Sequence, residues 1–162
     1  MKKKIGIPAC IFILLLAAVI LFTQFGKLDF SAQYIQVGHI NTDEPVVKIE
    51  SPEQLQEFYS SNSEHLDHGY GDIISFAEAV KKYDNDFFEK SMLAIVLLNE
   101  GSGSARHKVE SVDKGIGGVK INIERIVPEV SLNDLAAWHI IVELNRSDLP
   151  LNTVFSVNMT RK

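Results

Sequence analysis

The residues of this chain that could carry chemistry gather in two short stretches and one dipeptide. The first stretch is Gly101-Ser102-Gly103-Ser104-Ala105-Arg106-His107, two serines and a histidine in a glycine-rich run. As a phosphate cradle it lacks the lysine of a P-loop, and the next segment reads as a strand, not as the helix whose N-terminus would face the anion. As a nucleophile elbow it lacks Gly-x-Ser-x-Gly turning into a helix. Ser102 or Ser104 with His107 could form a dyad, the pairing that activates a hydroxyl nucleophile, but the rest of a hydrolytic site is missing from the sequence. Two readings stand. One is a flexible connector whose glycines permit unusual backbone angles. The other is a contact loop whose small residues let a partner approach closely.

The second stretch is Glu64-His65-Leu66-Asp67-His68, with Asp72 close behind. Imidazoles and carboxylates are metal-ligating types, yet His65 and His68 come without cysteines and without the helical His-Glu-x-x-His arrangement. A solvated acidic loop explains them as well. The dipeptide is Trp138-His139. On an alternating strand its side chains point to opposite faces. Trp138 continues an apolar series, while His139, with Ile141 and Glu143, meets either solvent or a second layer. The acids Asp84, Asp86 and Glu89 suit the capping of a short helical turn better than a carboxylate pair. The candidate binding residues are Ser102, Gly103, Ser104, Arg106, His107 and His139. No catalytic residue, metal ligand or cofactor is assigned, and the chain is expected not to be an enzyme.

These residues need a scaffold, and the sequence divides in a simple way. Residues 5–26 carry no charge and are mostly Ile, Leu, Phe, Ala and Val, directly after Lys2, Lys3 and Lys4. At about 1.5 Å per residue, a helix of that length matches the roughly 30 Å core of a bilayer. The leading lysines predict a cytoplasmic N-terminus and a translocated C-terminal part. No small-x-small cleavage site follows the run cleanly, so an uncleaved signal anchor is expected. The division is residues 1–26 for the lysines and transmembrane anchor, 27–33 for a tether, and 34–162 for one extracytoplasmic domain in a single-pass membrane protein. Cys10, the only cysteine, falls within the apolar run, so the domain is expected to hold together without disulfides. The chain has 16 basic against 21 acidic residues, and three of the basic ones precede the anchor. That balance argues against nucleic-acid binding.

Within the domain, residues 34–40 and 46–50 read as strands. Ser51-Pro52-Glu53-Gln54 starts a helix with an N-cap serine, proline at the first helical position and glutamine at the capping-box position. Residues 60–71 read as a polar loop, and Asp72 as the cap of a second helix running to Val80. Met92 to Leu98 is apolar throughout, as in a strand buried on both faces. Residues 107–113, 119–123, 138–144 and 155–159 supply further strands, the first of them bulged and the second cleanly alternating. The expected fold class is α+β: an N-terminal transmembrane helix, then a mostly antiparallel sheet or sandwich with two short helices packed on it.

The segment from Phe87-Phe88 to Leu149 carries a double aromatic, a buried strand, the Glu100–Ser104 loop and a second strand from His107. An alternating strand, a proline and the Trp138–Leu144 strand come next. In this order it resembles the C-terminal domain of PrcB-like proteins, named after a subunit that stabilises a bacterial surface protease complex. The resemblance implies an extracytoplasmic binding or accessory module whose partner is a surface or secreted protein such as a protease. The alternative is an envelope hydrolase, serine-based or metal-assisted, using the Gly101–His107 loop or the His65/His68 loop.

Overall fold

The computed structural model describes residues 26–37, 44–66, 74–130, 135–150 and 152–162. In chain order the elements are β1 (Gly26–Leu28), β2 (Phe30–Val37), β3 (Val46–Ile49), α1 (Pro52–Leu66), α2 (Phe76–Val80) and α3 (Asn85–Lys90). They continue with β4 (Ser91–Glu100), β5 (Arg106–Gly115), β6 (Gly118–Ile126), β7 (Ala136–Asn145), a 3-10 turn at Arg146–Asp148, and β8 (Phe155–Arg161). The strands form two four-stranded sheets, ordered β1-β5-β6-β8 and β2-β7-β4-β3. Every pairing is antiparallel except β6 with β8, which run parallel.

Three layers result from the apolar pattern. β4 is buried from Met92 to Val96 because its two faces serve two cores. Leu93 and Ile95 pack with Leu55, Leu66, Phe76, Tyr83 and Phe88 of the helical side. Met92, Ala94 and Val96 pack with Val109, Val112, Val119, Ile121 and Ile123 of the other sheet. A strand covered on both faces must be apolar at every position, whereas β6, covered on one face, alternates. The bulge expected in β5 lies between Val109 and Ser111.

Local signals explain the helices. Ser51 Oγ accepts the Gln54 N–H at 3.3 Å, while the Gln54 side chain reaches back to the Glu50 N–H at 2.7 Å. Ser75 caps α2 and Asp84 caps α3, each accepting the N–H three residues on. Tyr83 locks this layer to the sheet. Its hydroxyl donates to Glu143 of β7 at 2.8 Å and accepts from Gln33 of β2 at 2.6 Å.

Several expectations are corrected here. Among the described residues no helix is long and apolar enough to cross a membrane. Gly26, expected to end the transmembrane span, opens a strand instead. The rest of that expected span lies outside the described residues, as do Asp67, His68 and Asp72. Residues 27–33 are not a tether. Gly26–Leu28 pair with Lys114–Val112, and β2 then crosses to the other sheet beside β7. The backbone pairing and the burial of Leu28 hold this segment in the sandwich. Helix α1 runs through Ser60 to Leu66, inside the expected loop, because Leu66 inserts into the core. Three helices, not two, cover the sheet, and Ser75 replaces Asp72 as the second cap.

Candidate functional site

Five of the six candidate residues converge at one end of the sandwich, where β4 passes into β5. The loop begins tightly: the Ser104 N–H bonds Ser102 Oγ at 3.2 Å and the Ala105 N–H bonds the Ser102 carbonyl at 3.2 Å. Ser102 and Ala105 are buried, so the loop is a folded cap with a defined shape. Arg106 donates to the Gly103 and Ala105 carbonyls at 2.7 and 2.9 Å, and its guanidinium carbon lies 5.4 Å from the Trp138 ring centroid. That stacking is a cation–π arrangement. Gln36 of β2 also reaches the Gly103 carbonyl, at 3.5 Å.

Beneath the loop lies a buried ionic cluster. Glu100 ends β4 on the face that looks into the inter-sheet core, the face shared with Val96 and Ala94. His107 and Arg125 are register partners on β5 and β6. Glu100 Oε1 meets His107 Nε2 at 2.8 Å, and Arg125 Nε donates to both carboxylate oxygens at 2.8 and 2.9 Å. Arg125 Nη2 adds a bond to Oε2. One carboxylate thus ties the two sheets together at their open end. Desolvation raises the Glu100 pKa, but the bonds from Arg125 and His107 outweigh it and hold it below the usual range. Burial pushes His107 down, only partly opposed by Glu100. His107 is therefore neutral at pH 7, with Nε2–H donating to the carboxylate.

Two polar atoms beside this cluster, His107 Nδ1 and Trp138 Nε1, are buried and have no hydrogen-bond partner among the described residues. The two rings stand nearly edge-on, 5.7 Å between centroids. With Nε2 protonated, Nδ1 is an acceptor and the indole N–H a donor. Around the rim Ile126, Val130 and Leu135 are exposed, and Ile126 sits directly across from Arg106 in the ladder.

The sixth candidate, His139, belongs elsewhere. It is fully buried on the opposite face of β7, under the helices, with ring centroids 5.9 Å from Phe58 and 5.6 Å from Phe76. Of the two environments left open for it, the second layer is the one it occupies. Neither ring nitrogen has a partner among the described residues, and burial depresses its pKa to about 3. His65 is exposed on the last turn of α1. Among the described residues no group of three His, Cys, Asp or Glu could hold a metal ion. Sequence reasoning missed Glu100, Arg125 and Gln36. The available signal was parity: Glu100 and Arg125 are charges at positions that continue inward-facing apolar series, at the same end of strands in the two facing sheets.

A groove of about 720 Å³ opens at the other end of the sandwich, between residues 114–118 on one side and 147–150 and 152–154 on the other. There Lys114 Nζ donates to the Asp148 carbonyl at 3.1 Å.

No family model, no curated protein and no solved structure matches this chain. The resemblance to the PrcB-like domain rests on element order and loop position alone.

Proposed function

We propose that this protein is a non-enzymatic binding or accessory module that engages a surface or secreted protein through the Ser102–Arg106 end of its sandwich. The observation that carries this reading is a rigid polar cap set beside exposed apolar residues. Arg106, Trp138 and the Glu100–His107–Arg125 cluster fix the loop backbone, while Ile126, Val130 and Leu135 offer apolar surface next to it. A pre-shaped loop on a stiff β scaffold spends little entropy on binding, and exposed apolar groups ringed by polar ones suit a protein partner. The resemblance to an accessory domain of a protease complex points to the same class of partner. Placement outside the cytoplasm is part of the proposal and is carried by the sequence alone.

The hydrolase alternative is less well supported. His107 Nε2 is committed to Glu100, and His107 Nδ1 bonds neither Ser102 nor Ser104. The Ser102 hydroxyl oxygen is engaged by the Ser104 N–H.

The test is a crosslinking pull-down comparing the unmodified protein with Gly103→Trp and Leu135→Asp. Both substitutions fall on the rim and outside the ionic cluster. Loss of one discrete captured protein in both variants, at unchanged thermal midpoint, supports the assignment. Equal capture by all three removes this end of the sandwich from consideration.

A further inference from the structure

The outer edge of β8 is the last in its sheet, and β8 pairs only with β6 among the described strands. Val154 C=O accepts from Val119 N–H at 2.9 Å, and Lys162 N–H donates to Arg125 C=O at 3.1 Å. These even-numbered residues face β6. By the period of two, the backbone groups of Ser156, Asn158 and Thr160 do the same. The N–H and C=O groups of Phe155, Val157, Met159 and Arg161 then point away from β6, and no described residue pairs with them.

The sandwich deals differently with its other edges. β1 has three residues, and β3 has four, with Lys48 paired to Glu50 at 2.9 Å just beyond its end. β2 lies against β5, where Tyr34 Oη accepts the Val109 N–H at 2.9 Å. Short length, charge and coverage are the usual protections of an edge. β8 has seven residues, no proline and one charge, Arg161. Met159, on the inner face beside the half-buried Val157, is 48% exposed.

We propose that two copies of this chain associate through β8, antiparallel and centred on Asn158, so that the two sheets join into one. In that register Val157 faces Met159 of the other copy, Ser156 faces Thr160, and Asn158 faces itself. The two central inner-face pairs are apolar against apolar, and on the outer face polar meets polar. The lone charge, Arg161, faces Phe155 and not its own copy, so no like charges oppose. The hydrogen-bonding pattern agrees. Asn158, whose groups serve β6, sits at a non-hydrogen-bonded position, and the outward-pointing residues all fall in hydrogen-bonded pairs. No other centre uses all seven residues. The pairing is an isologous, two-fold interface, and it leaves the Ser102–Arg106 end free.

Cysteine crosslinking reads the register directly, in full-length protein carrying Cys10→Ser. Asn158→Cys places two thiols at a pair whose Cα atoms are about 4.5 Å apart, inside the disulfide range of about 4.4–6.8 Å. Thr160→Cys alone leaves its copies roughly 14 Å apart. Mild oxidation is expected to give covalent dimer with Asn158→Cys, none with Thr160→Cys alone, and dimer again when Thr160→Cys is mixed with Ser156→Cys. Light scattering is expected to report a dimer for the unmodified protein and a monomer for Met159→Pro, which removes one outward N–H and leaves the β6 ladder intact. A monomeric unmodified protein overturns the proposal, as would occur if another segment of the same chain occupied the edge. Equal disulfide yields from Asn158→Cys and Thr160→Cys also overturn it, whether or not Met159→Pro folds.

Discussion

Replacing His139 by leucine exchanges a buried imidazole, without a hydrogen-bond partner among the described residues, for an aliphatic group of similar size. The ring lies against Phe58 and Phe76, and no described residue pairs with either nitrogen. An unsatisfied buried polar group costs about 1–3 kcal/mol, part of which is offset by imperfect repacking of the new side chain. A gain of about 1–2 kcal/mol at pH 7 is expected. The pH dependence is sharper. The folded-state pKa of about 3 lies below the ordinary 6.5, so above pH 6.5 the ring is neutral in both states and its contribution is fully present. As pH falls through 6.5 the unfolded chain takes up the proton first, and stability is lost down to about pH 3. Between pH 7 and pH 5 this residue alone removes about 2 kcal/mol. Urea denaturation at both pH values measures it, with a slope of about 1–3 kcal/mol per molar urea converting midpoints to energies. His139→Leu is expected to gain about 3–4 kcal/mol over the unmodified protein at pH 5, roughly twice or more its gain at pH 7. His107, also depressed by burial, keeps some slope in the variant. A variant no more stable than the original, with the same loss between pH 7 and pH 5, would refute the reasoning and mean that the ring is solvated or bonded in solution.

Three further predictions concern other parts of the frame. Glu100→Ala strands Arg125 and His107 at the end of the core, and breaking such a buried pair is expected to cost about 3 kcal/mol or more in chemical denaturation, whereas Ser104→Ala on the adjoining loop stays within about 0.5 kcal/mol. Gly118→Ala forces a side chain onto a backbone with φ of +117°, and its Cβ would lie 2.2 Å from the Val154 carbonyl; a loss of about 2 kcal/mol, with weakened amide protection in β8, is expected. Tyr83→Phe removes the donor to Glu143 and the acceptor for Gln33, and is expected to lower the urea-derived stability by about 1–2 kcal/mol.

Much of the frame was legible because burial writes itself into a strand. The unbroken run from Met92 announced a strand covered on both faces, and the alternation from Val119 to Ile123 one covered on a single face. The Gly101–Ala105 loop was legible as a loop because it interrupts the strand pattern between Leu98 and His107. Its supports were not. Glu100 and Arg125 are 25 positions apart and meet only because β5 and β6 fold back beside β4.

By itself the sequence determined which residues could be interior, where helices could start, and that the domain is rich in strands, since these depend on side-chain polarity and spacing along a single segment. Tertiary structure alone decided that residues 26–37 form two strands, one in each sheet, that Leu66 prolongs its helix, and that β8 runs parallel to β6. It also decided that His139 meets a second layer and not solvent, since Phe58 and Phe76 of the helices cover its face of β7. Those outcomes rest on partners far away in sequence, and backbone pairing and desolvation reward such contacts only once the layers have closed.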